Sequence, residues 1–424
     1  MLPTGSSATA LWSDVAVSLP WELYQEYGDL AILRRAYPSM TGFVREVEAA
    51  IDENDLWGSG FQFGDWLDPD APADNPAGGK TDRYLVACAY LCRTTREMAG
   101  TARLLGESAD AEHFLALAGR VRAAFRREFV TETGRVVSES ATGYALPIMF
   151  DLLDASQKRK AGAKLAEIVA QSGFTISTGF AGTPLITDAL SSTGHLEEAY
   201  ELLMQTRSPS FLYPVTMGAT TIWERWDSVL PDGTVNATGM TSLNHYALGA
   251  VADWLHRVVG GLTRTSAGWR TLTIAPQPGG GLTSARAVHD TVLGRAESHW
   301  RAEDGEMLFD VVVPDGAAAT VVPPKHPDRL SLELGPGAHS WRYPLPEGFG
   351  EAVPLSLDTP IKEVMKHEDV WRAVLDVMRA YFPGVPVEAA GSHMGDLPLG
   401  MLASRLPQNG EAMERDLLAV LGAA

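Results

Sequence analysis

The sequence predicts a mainly helical fold built from helical hairpins, followed by a small antiparallel β-sandwich and a helical tail. Three observations carry this prediction. Apolar residues recur at helical spacing, broken by short Gly/Asp turns, as far as about residue 262. After Gly261 the segments become short and β-rich up to Tyr343. Beyond Pro344 a helical pattern returns. The expected domains are therefore 1–262, 263–345 and 346–424.

In the first helix Leu11, Val15, Leu19 and Leu23 recur every four residues, an amphipathic pattern that Gly28 closes. Further helices are predicted over 29–50, 80–105, 108–128, 141–153, 156–171, 182–192, 195–206 and 241–260. Several are joined by the turns Tyr27-Gly-Asp, Leu105-Gly-Glu and Thr193-Gly-His, which is how antiparallel helical pairs read in sequence. A ring or solenoid of hairpins follows. Three longer loops carry aromatics and acids: Trp57 to Asp70, Thr178 to Pro184, and the segment around Trp223. Long structured loops in a compact domain are more often functional than accidental. In the second domain Thr271–Ile274, Ala296–Trp300 and Leu308–Val313 read as strands, with Gly279-Gly-Gly and Asp304-Gly as turns. No Lys-Ser/Thr follows the glycines, so they do not form a phosphate loop. In the tail, Thr359-Pro360 marks a helix start, and Ile361, Met365, Val374 and Met378 offer an apolar stripe.

Composition excludes several partners. The 424 residues are 45% hydrophobic, enough for a large core, and 53 Asp+Glu against 34 Lys+Arg give a formal charge of −19. Such a field repels nucleic acid and anionic membranes and leaves a neutral sugar unaffected. No run approaches the roughly 18 apolar residues of a membrane span. The first twenty residues hold no Lys or Arg and no continuous apolar stretch, so no signal peptide is expected and the protein is placed in the cytoplasm. Cys88 and Cys92, four apart on one helix face, are expected to be core thiols, and no metal or cofactor is expected. The acids Asp65, Asp68 and Asp70 lack the Gly and the terminal Glu of a calcium loop. Oligomeric state is not legible.

The chemistry concentrates in Trp223-Glu224-Arg225-Trp226-Asp227 and Asn244-His245-Tyr246. Sugars stack their C–H faces on indoles, while carboxylates and imidazoles bind hydroxyls and move protons. The competing reading makes Glu224 an ion-pair partner of Arg225, with the tryptophans as core.

The wider stretch, Tyr213 through Asp227 and Met240 through Val251, closely resembles the C-terminal half of the catalytic domain of family 78 α-L-rhamnosidases. The resemblance covers residues 1–343 and implies an (α/α)6 barrel followed by the sandwich. It implies that Glu224 is the general base of an inverting glycosidase acting on a rhamnose-containing glycoside. It also makes Trp223, Trp226 and His245 sugar contacts. Gly64-Asp65-Trp66-Leu67-Asp68-Pro69 resembles a loop that lines the sugar pocket, and Trp12-Ser13-Asp14 resembles the family's Trp-Gly-Asp at the head of an inner helix. Simpler roles stand beside these: core burial for Trp12 and Trp66, a cap or turn for Asp14 and Asp65, and a helix cap for His245. The family's general acid lies in an Arg-Asp-Glu-Arg stretch, which this sequence lacks. The predicted helices also number fewer than twelve, so a fragmentary rhamnosidase is expected, with Asp65 as the first substitute acid to test. The alternatives are a non-catalytic carbohydrate-binding remnant and another inverting glycosidase on the same barrel.

Overall fold

The computed structural model describes residues 8–350, 354–387, 394–395, 397–406 and 409–422. Residues 1–7, part of the stretch read as lacking a signal peptide, and parts of the predicted tail lie outside them. Met1–Leu165 with Ile176–Gly350 forms one compact unit, and Ala166–Thr175 with Glu351–Ala424 a second.

Eight helices follow the predicted order: α1 (Val15–Tyr27), α2 (Leu30–Glu48), α3 (Arg83–Leu105), α4 (Ser108–Phe129), α5 (Ala141–Met149), α6 (Ala155–Gln171), α7 (Ile186–Ser191) and α8 (Leu196–Met204), all in the first unit except the end of α6 from Ala166, which belongs to the second. Their ends carry the chemistry that helix ends require. Asp29 accepts from the Ala31 amide and Asp82 from those of Tyr84 and Leu85, which satisfies first-turn donors. Gly28 ends α1 in the left-handed region at φ 69°, with Gly268 so close that a Cβ would meet its Cα at 3.4 Å. The segment expected as a single helix over 241–260 is instead divided into α10 (Tyr246–Gly249), α11 (Val251–Trp254) and a π-helical turn at Leu255–Val259, after a short unforeseen α9 (Tyr213–Thr216).

Helices α1, α3, α5, α7 and α11 contact one another in succession, while α2, α4 and α8 back onto α1, α3 and α7. The first series is the inner row. Accordingly α3 is buried almost all round, from Leu85 to Ala102, and Cys88 and Cys92 sit within it as free thiols. Burial pushes Cys88 up to about 12 and Cys92 to about 11, as suits inert core thiols. The α1 stripe departs from expectation. Val15 and Leu19 are each 52% exposed, and Leu23 and Tyr27 also face outward. The helix packs instead through Val17 and through Trp21, whose ring meets Gly100 of α3.

Two four-stranded sheets follow: β1 (Leu262–Arg264), β2 (Thr271–Ile274), β6 (Ala318–Val321) and β7 (Leu332–Leu334) in one, and β3 (Ser284–Thr291), β4 (Gly294–Glu303), β5 (Glu306–Val313) and β8 (Gly337–Pro344) in the other. The second sheet is wholly antiparallel, but β2 and β6 pair in parallel, so the sandwich is mixed at that ladder. Its core is Trp300, Phe309, Met307, Ile274 and Val321, with the Trp300 indole donating to the Val259 carbonyl at 2.8 Å. In the second unit, helices Ile361–Val364, Glu368–Tyr381, Met401–Ser404 and Gly410–Gly422 enclose Ile361, Val374, Met378, Leu402 and Leu417. Met365 packs against this core, completing the predicted stripe.

Candidate active site

The three long loops and the residues before α1 each lead into an inner helix. Ring contacts and backbone hydrogen bonds bring these segments together: Trp12 with Trp66 and Phe180, Phe180 with His245, and the His245 amide with the Ile222 carbonyl. There the rings of Trp12, Phe63, Trp66, Phe180 and His245 form a continuous arc. Trp12 lies 4.3 Å from Phe63, 6.4 Å from Trp66 and 6.3 Å from Phe180 between ring centres. Phe180 in turn lies 5.0 Å from His245. Trp12 and Trp66 are half-buried, leaving ring surface open to a ligand.

Glu224 is tied to this arc through the backbone. The Glu224 amide donates to the Ser242 carbonyl at 2.8 Å, the Ser242 amide returns a bond to the Glu224 carboxylate at 3.2 Å, and the His245 amide donates to the Ile222 carbonyl at 2.8 Å. Glu224 and His245 therefore lie on two chain segments laid side by side. His245 caps α10, its Nδ1 accepting from the Ala247 amide at 3.3 Å. That bond fixes Nε2 as the protonated nitrogen, a donor for a sugar hydroxyl. The capping and ligand-binding readings of His245 are thus compatible.

Arg225 does not pair with Glu224. Its Nε lies 2.5 Å from Asp227 Oδ1 and its Nη2 3.2 Å from Oδ2, while Nη1 donates to Thr238 at 2.7 Å. The ion-pair reading of Glu224 is corrected accordingly: Asp227, two residues on, has the bidentate geometry that the guanidinium prefers. Trp223 and Trp226 are also placed differently from the expectation of sugar contact. Each is 4% exposed and in a T-shaped contact, Trp223 with Tyr213 and Trp226 with Phe211, so neither ring presents an open face.

The two aspartates hold the arc together. Asp65 is 1% exposed and accepts from the Thr142 hydroxyl and from the amides of Gly179 (2.9 Å), Ala181 (2.9 Å) and Gly182 (3.2 Å). Beside it the Phe180 amide donates to the Trp66 carbonyl at 2.9 Å. Asp65 has no open side toward a sugar, which corrects its reading as a ligand-binding residue and as a substitute acid. Burial raises its pKa to about 6 against the opposing pull of the Gly179 and Thr142 bonds. Asp14, 4% exposed, accepts from the Leu11 amide at 2.6 Å and from the Thr94 hydroxyl of α3, and burial raises its pKa as well. It fixes the turn that presents Trp12. The acids beyond Trp66 gather on Lys80, whose ammonium lies 3.2 Å from Asp68 and also pairs with Asp70, so a lysine takes the place that a cation would need.

Three of the non-glycine residues held at positive φ lie beside these segments, the others being spread over the rest of the chain. Leu11 (φ 70°), Leu67 (φ 57°) and Met240 (φ 53°) directly adjoin Trp12, Trp66 and the Glu224-binding turn. Bulky residues occupy this region only where their surroundings force it.

Comparison with known proteins decides the lineage. Residues 1–259 match the six-hairpin glycosidase domain of bacterial α-L-rhamnosidases, and residues 261–334 match the C-terminal domain of the same enzymes. The chain belongs to the bacterial α-L-rhamnosidase family. An α-L-rhamnosidase of Streptomyces avermitilis is 35% identical over 330 residues, 78% of this chain and 31% of that protein. The α-L-rhamnosidase crystal structure from Aspergillus terreus superposes with a TM-score of 0.76 at 39% identity, covering 80% of this chain and 39% of the other. The Streptomyces avermitilis enzyme solved in complex with L-rhamnose gives a TM-score of 0.73 at 33% identity, covering 80% of this chain and 34% of that one. The chain thus spans about a third of the length of its curated relatives. The rhamnosidase fold class expected from the motifs is the one found.

Proposed function

We propose that this chain hydrolyses terminal α-L-rhamnosides with inversion, Glu224 serving as the general base. The observation that carries the reading is the pairing of the Glu224 and His245 segments beside an open arc of Trp12, Phe63 and Trp66. In an inverting mechanism the base deprotonates a water that attacks the anomeric carbon, and a second carboxylic acid protonates the departing oxygen. The Ser242 amide orients the Glu224 carboxylate for the first task. Trp12 and Trp66 supply the stacking walls, and His245 Nε2–H a hydroxyl donor. Asp14 and Asp65 act one step back, by fixing those walls. Under this reading residues 1–262 carry the site, 263–345 form the sandwich, and 346–424 have no assigned role.

The proton donor is not assigned to any residue of this sequence, which contains no Arg-Asp-Glu-Arg stretch. The arc of Trp12, Phe63 and Trp66 also suits a second reading, a rhamnose-binding protein without turnover. Kinetics on an aryl α-L-rhamnoside separate the two, because a good leaving group needs little protonation. The enzyme reading expects turnover, β-L-rhamnose as the first product by proton NMR, and a roughly 10²–10⁴-fold loss in Glu224→Gln with binding retained. Full activity in that variant removes Glu224 from the mechanism. Binding with no turnover on any leaving group establishes the second reading.

A further inference from the structure

A cavity of about 620 Å³ opens among the inner helices α1, α3, α7 and α11, and no ring of the arc lines it. Its size lies within the roughly 300–1,000 Å³ usual for small-molecule sites. Three of its four carboxylates are spent on guanidinium groups. Asp188 gives both oxygens to Arg257 at 3.0 and 2.6 Å, Asp253 is held by the same side chain at 2.8 Å, and Glu22 by Arg264 at 3.2 Å. Glu97 differs. Its Oε1 accepts from Arg93 Nε at 2.7 Å, but its Oε2 is buried with no hydrogen-bond partner among the described residues. Burial raises the Glu97 pKa against the pull of Arg93. Donors stand unspent beside it. Both NH₂ groups of Arg93 and every N–H of Arg96 lack a hydrogen bond among the described residues, Glu22 standing 4.0 Å from the first side chain and Asp151 3.7 Å from the second. The Arg93 guanidinium lies over Phe150, 5.4 Å from its ring centre, which holds it in place. Trp21, Met149 and Leu185 add half-buried apolar surface to the wall.

We propose that this cavity is a second ligand site, separate from the arc, that takes the monoanion of a cyclic hydroxycarboxylate. The inference is independent of whether the arc turns over a rhamnoside. Each part of such a ligand answers an unspent group. A carboxylate fits the forked N–H donors of Arg93 and Arg96, the geometry in which guanidinium groups bind most strongly. A hydroxyl both donates and accepts, so it satisfies Glu97 Oε2 whether that carboxyl is ionised or protonated, and relieves the cost of a buried polar atom without a partner. The carbon ring has Trp21 and Leu185 to lie against. A doubly charged anion is disfavoured, because Glu22, Glu97 and Asp253 stand on the same wall.

The test uses the full chain labelled with nitrogen-15, with D-glucuronate as the probe and the indole N–H resonances of Trp12, Trp21 and Trp66 as the readout. Glucose, cyclohexanecarboxylate and inorganic phosphate serve as comparisons that lack the carboxylate, the hydroxyls and the ring. Glucuronate is expected to move Trp21 and leave Trp12 and Trp66 in place. Each comparison compound is expected to bind at least about tenfold more weakly, as the loss of one charge-assisted or two neutral hydrogen bonds implies. Arg93→Gln and Arg96→Gln are each expected to weaken glucuronate about tenfold. Arg96 is 39% exposed and holds no hydrogen bond among the described residues, so its variant keeps the fold even where Arg93→Gln does not. Glucuronate that moves Trp12 and Trp66 but not Trp21 has bound the arc, and overturns the second site. Glucose binding as tightly as glucuronate, or an Arg96→Gln chain that binds it unchanged, overturns recognition by the guanidinium pair. Equal binding of cyclohexanecarboxylate or of phosphate overturns the hydroxycarboxylate as the ligand class, and no shift at Trp21 with any probe overturns the site itself.

Discussion

Asp65→Asn distinguishes a buried carboxyl that organises the arc from one that touches a sugar. Asn matches the carboxyl in shape but places an NH₂ where one oxygen stood. Set at the Oδ2 position, that NH₂ opposes the Gly179 amide, while the Thr142 hydroxyl can turn to accept from it. Ala181 and Gly182 keep their bonds to the remaining oxygen. One backbone N–H is orphaned, at a cost of about 1–3 kcal/mol relative to the protonated acid. The wild type bears a different cost. Burial lifts Asp65 from the usual 3.8 to about 6, so above pH 6 it carries a buried charge worth roughly 3 kcal/mol. Because the folded-state pKa is raised, the corresponding stability is fully present below pH 4 and is lost as pH rises through 6. Near pH 7 the two costs roughly offset, and the variant should melt close to the wild type. Toward pH 4 the wild type should pull ahead by about 3 kcal/mol relative to that starting point, roughly 4 °C in Tm for a unit of this size. Calorimetry of both proteins from pH 4 to 8 measures the difference, in which other titrating groups cancel. A gap that shrinks on acidification would mean that the four donors outweigh burial, and would refute the reasoning.

Other perturbations probe the remaining parts. Gly179→Ala would set a methyl 2.3 Å from the Trp66 carbonyl oxygen and 2.5 Å from that of Asp65, so the Phe180 loop must shift; calorimetric titration should show weakened rhamnose binding with a stability loss of about 1–3 kcal/mol. Trp12→Ala and Trp66→Ala should weaken rhamnose binding in such titrations more than Trp300→Ala, which should instead cost about 3–5 kcal/mol of sandwich stability in denaturant melts. Arg257→Leu breaks a bidentate pair with Asp188, at 3.0 and 2.6 Å, that joins α7 to the turn after α11; the carboxylate left 10% exposed predicts a loss of roughly 2–4 kcal/mol by urea unfolding, with no change in ligand affinity. Residual turnover, where present, should be confined to aryl rhamnosides in a leaving-group series, and efficient cleavage of an alkyl rhamnoside would demand a positioned acid elsewhere in the chain.

The helical order was legible because it rests on local rules. The i, i+4 apolar spacing and the turns at Gly28, Gly106 and Gly194 act within a few residues, and α2 through α8 lie where that spacing placed them. The strands inside β2, β4 and β5 were legible for the same reason, but the parallel β2–β6 ladder was not, since two segments 40-odd residues apart choose their direction by tertiary packing. The stripe on α1 misled for a related reason: periodicity shows that a helix has an apolar face, not which face its neighbours cover, and Trp21 against Gly100 settled that. At the site, motif matching named Trp12, Trp66 and His245, which the fold brings into one arc, yet passed over Phe63 and Phe180, which complete it. The alternation Phe61-Gln-Phe63 beside Trp66 was the available signal for one of them. The indoles flanking Glu224 gave the opposite lesson, because their exposure depends on Tyr213 and Phe211, and no spacing rule links those residues to a sugar. The residues that the motifs named were thus brought together where they lay on short segments that the fold lays side by side. Where a side chain gained its role from a distant partner, as Asp65 does from Thr142 and the Gly179–Gly182 backbone, only the assembled fold could assign it.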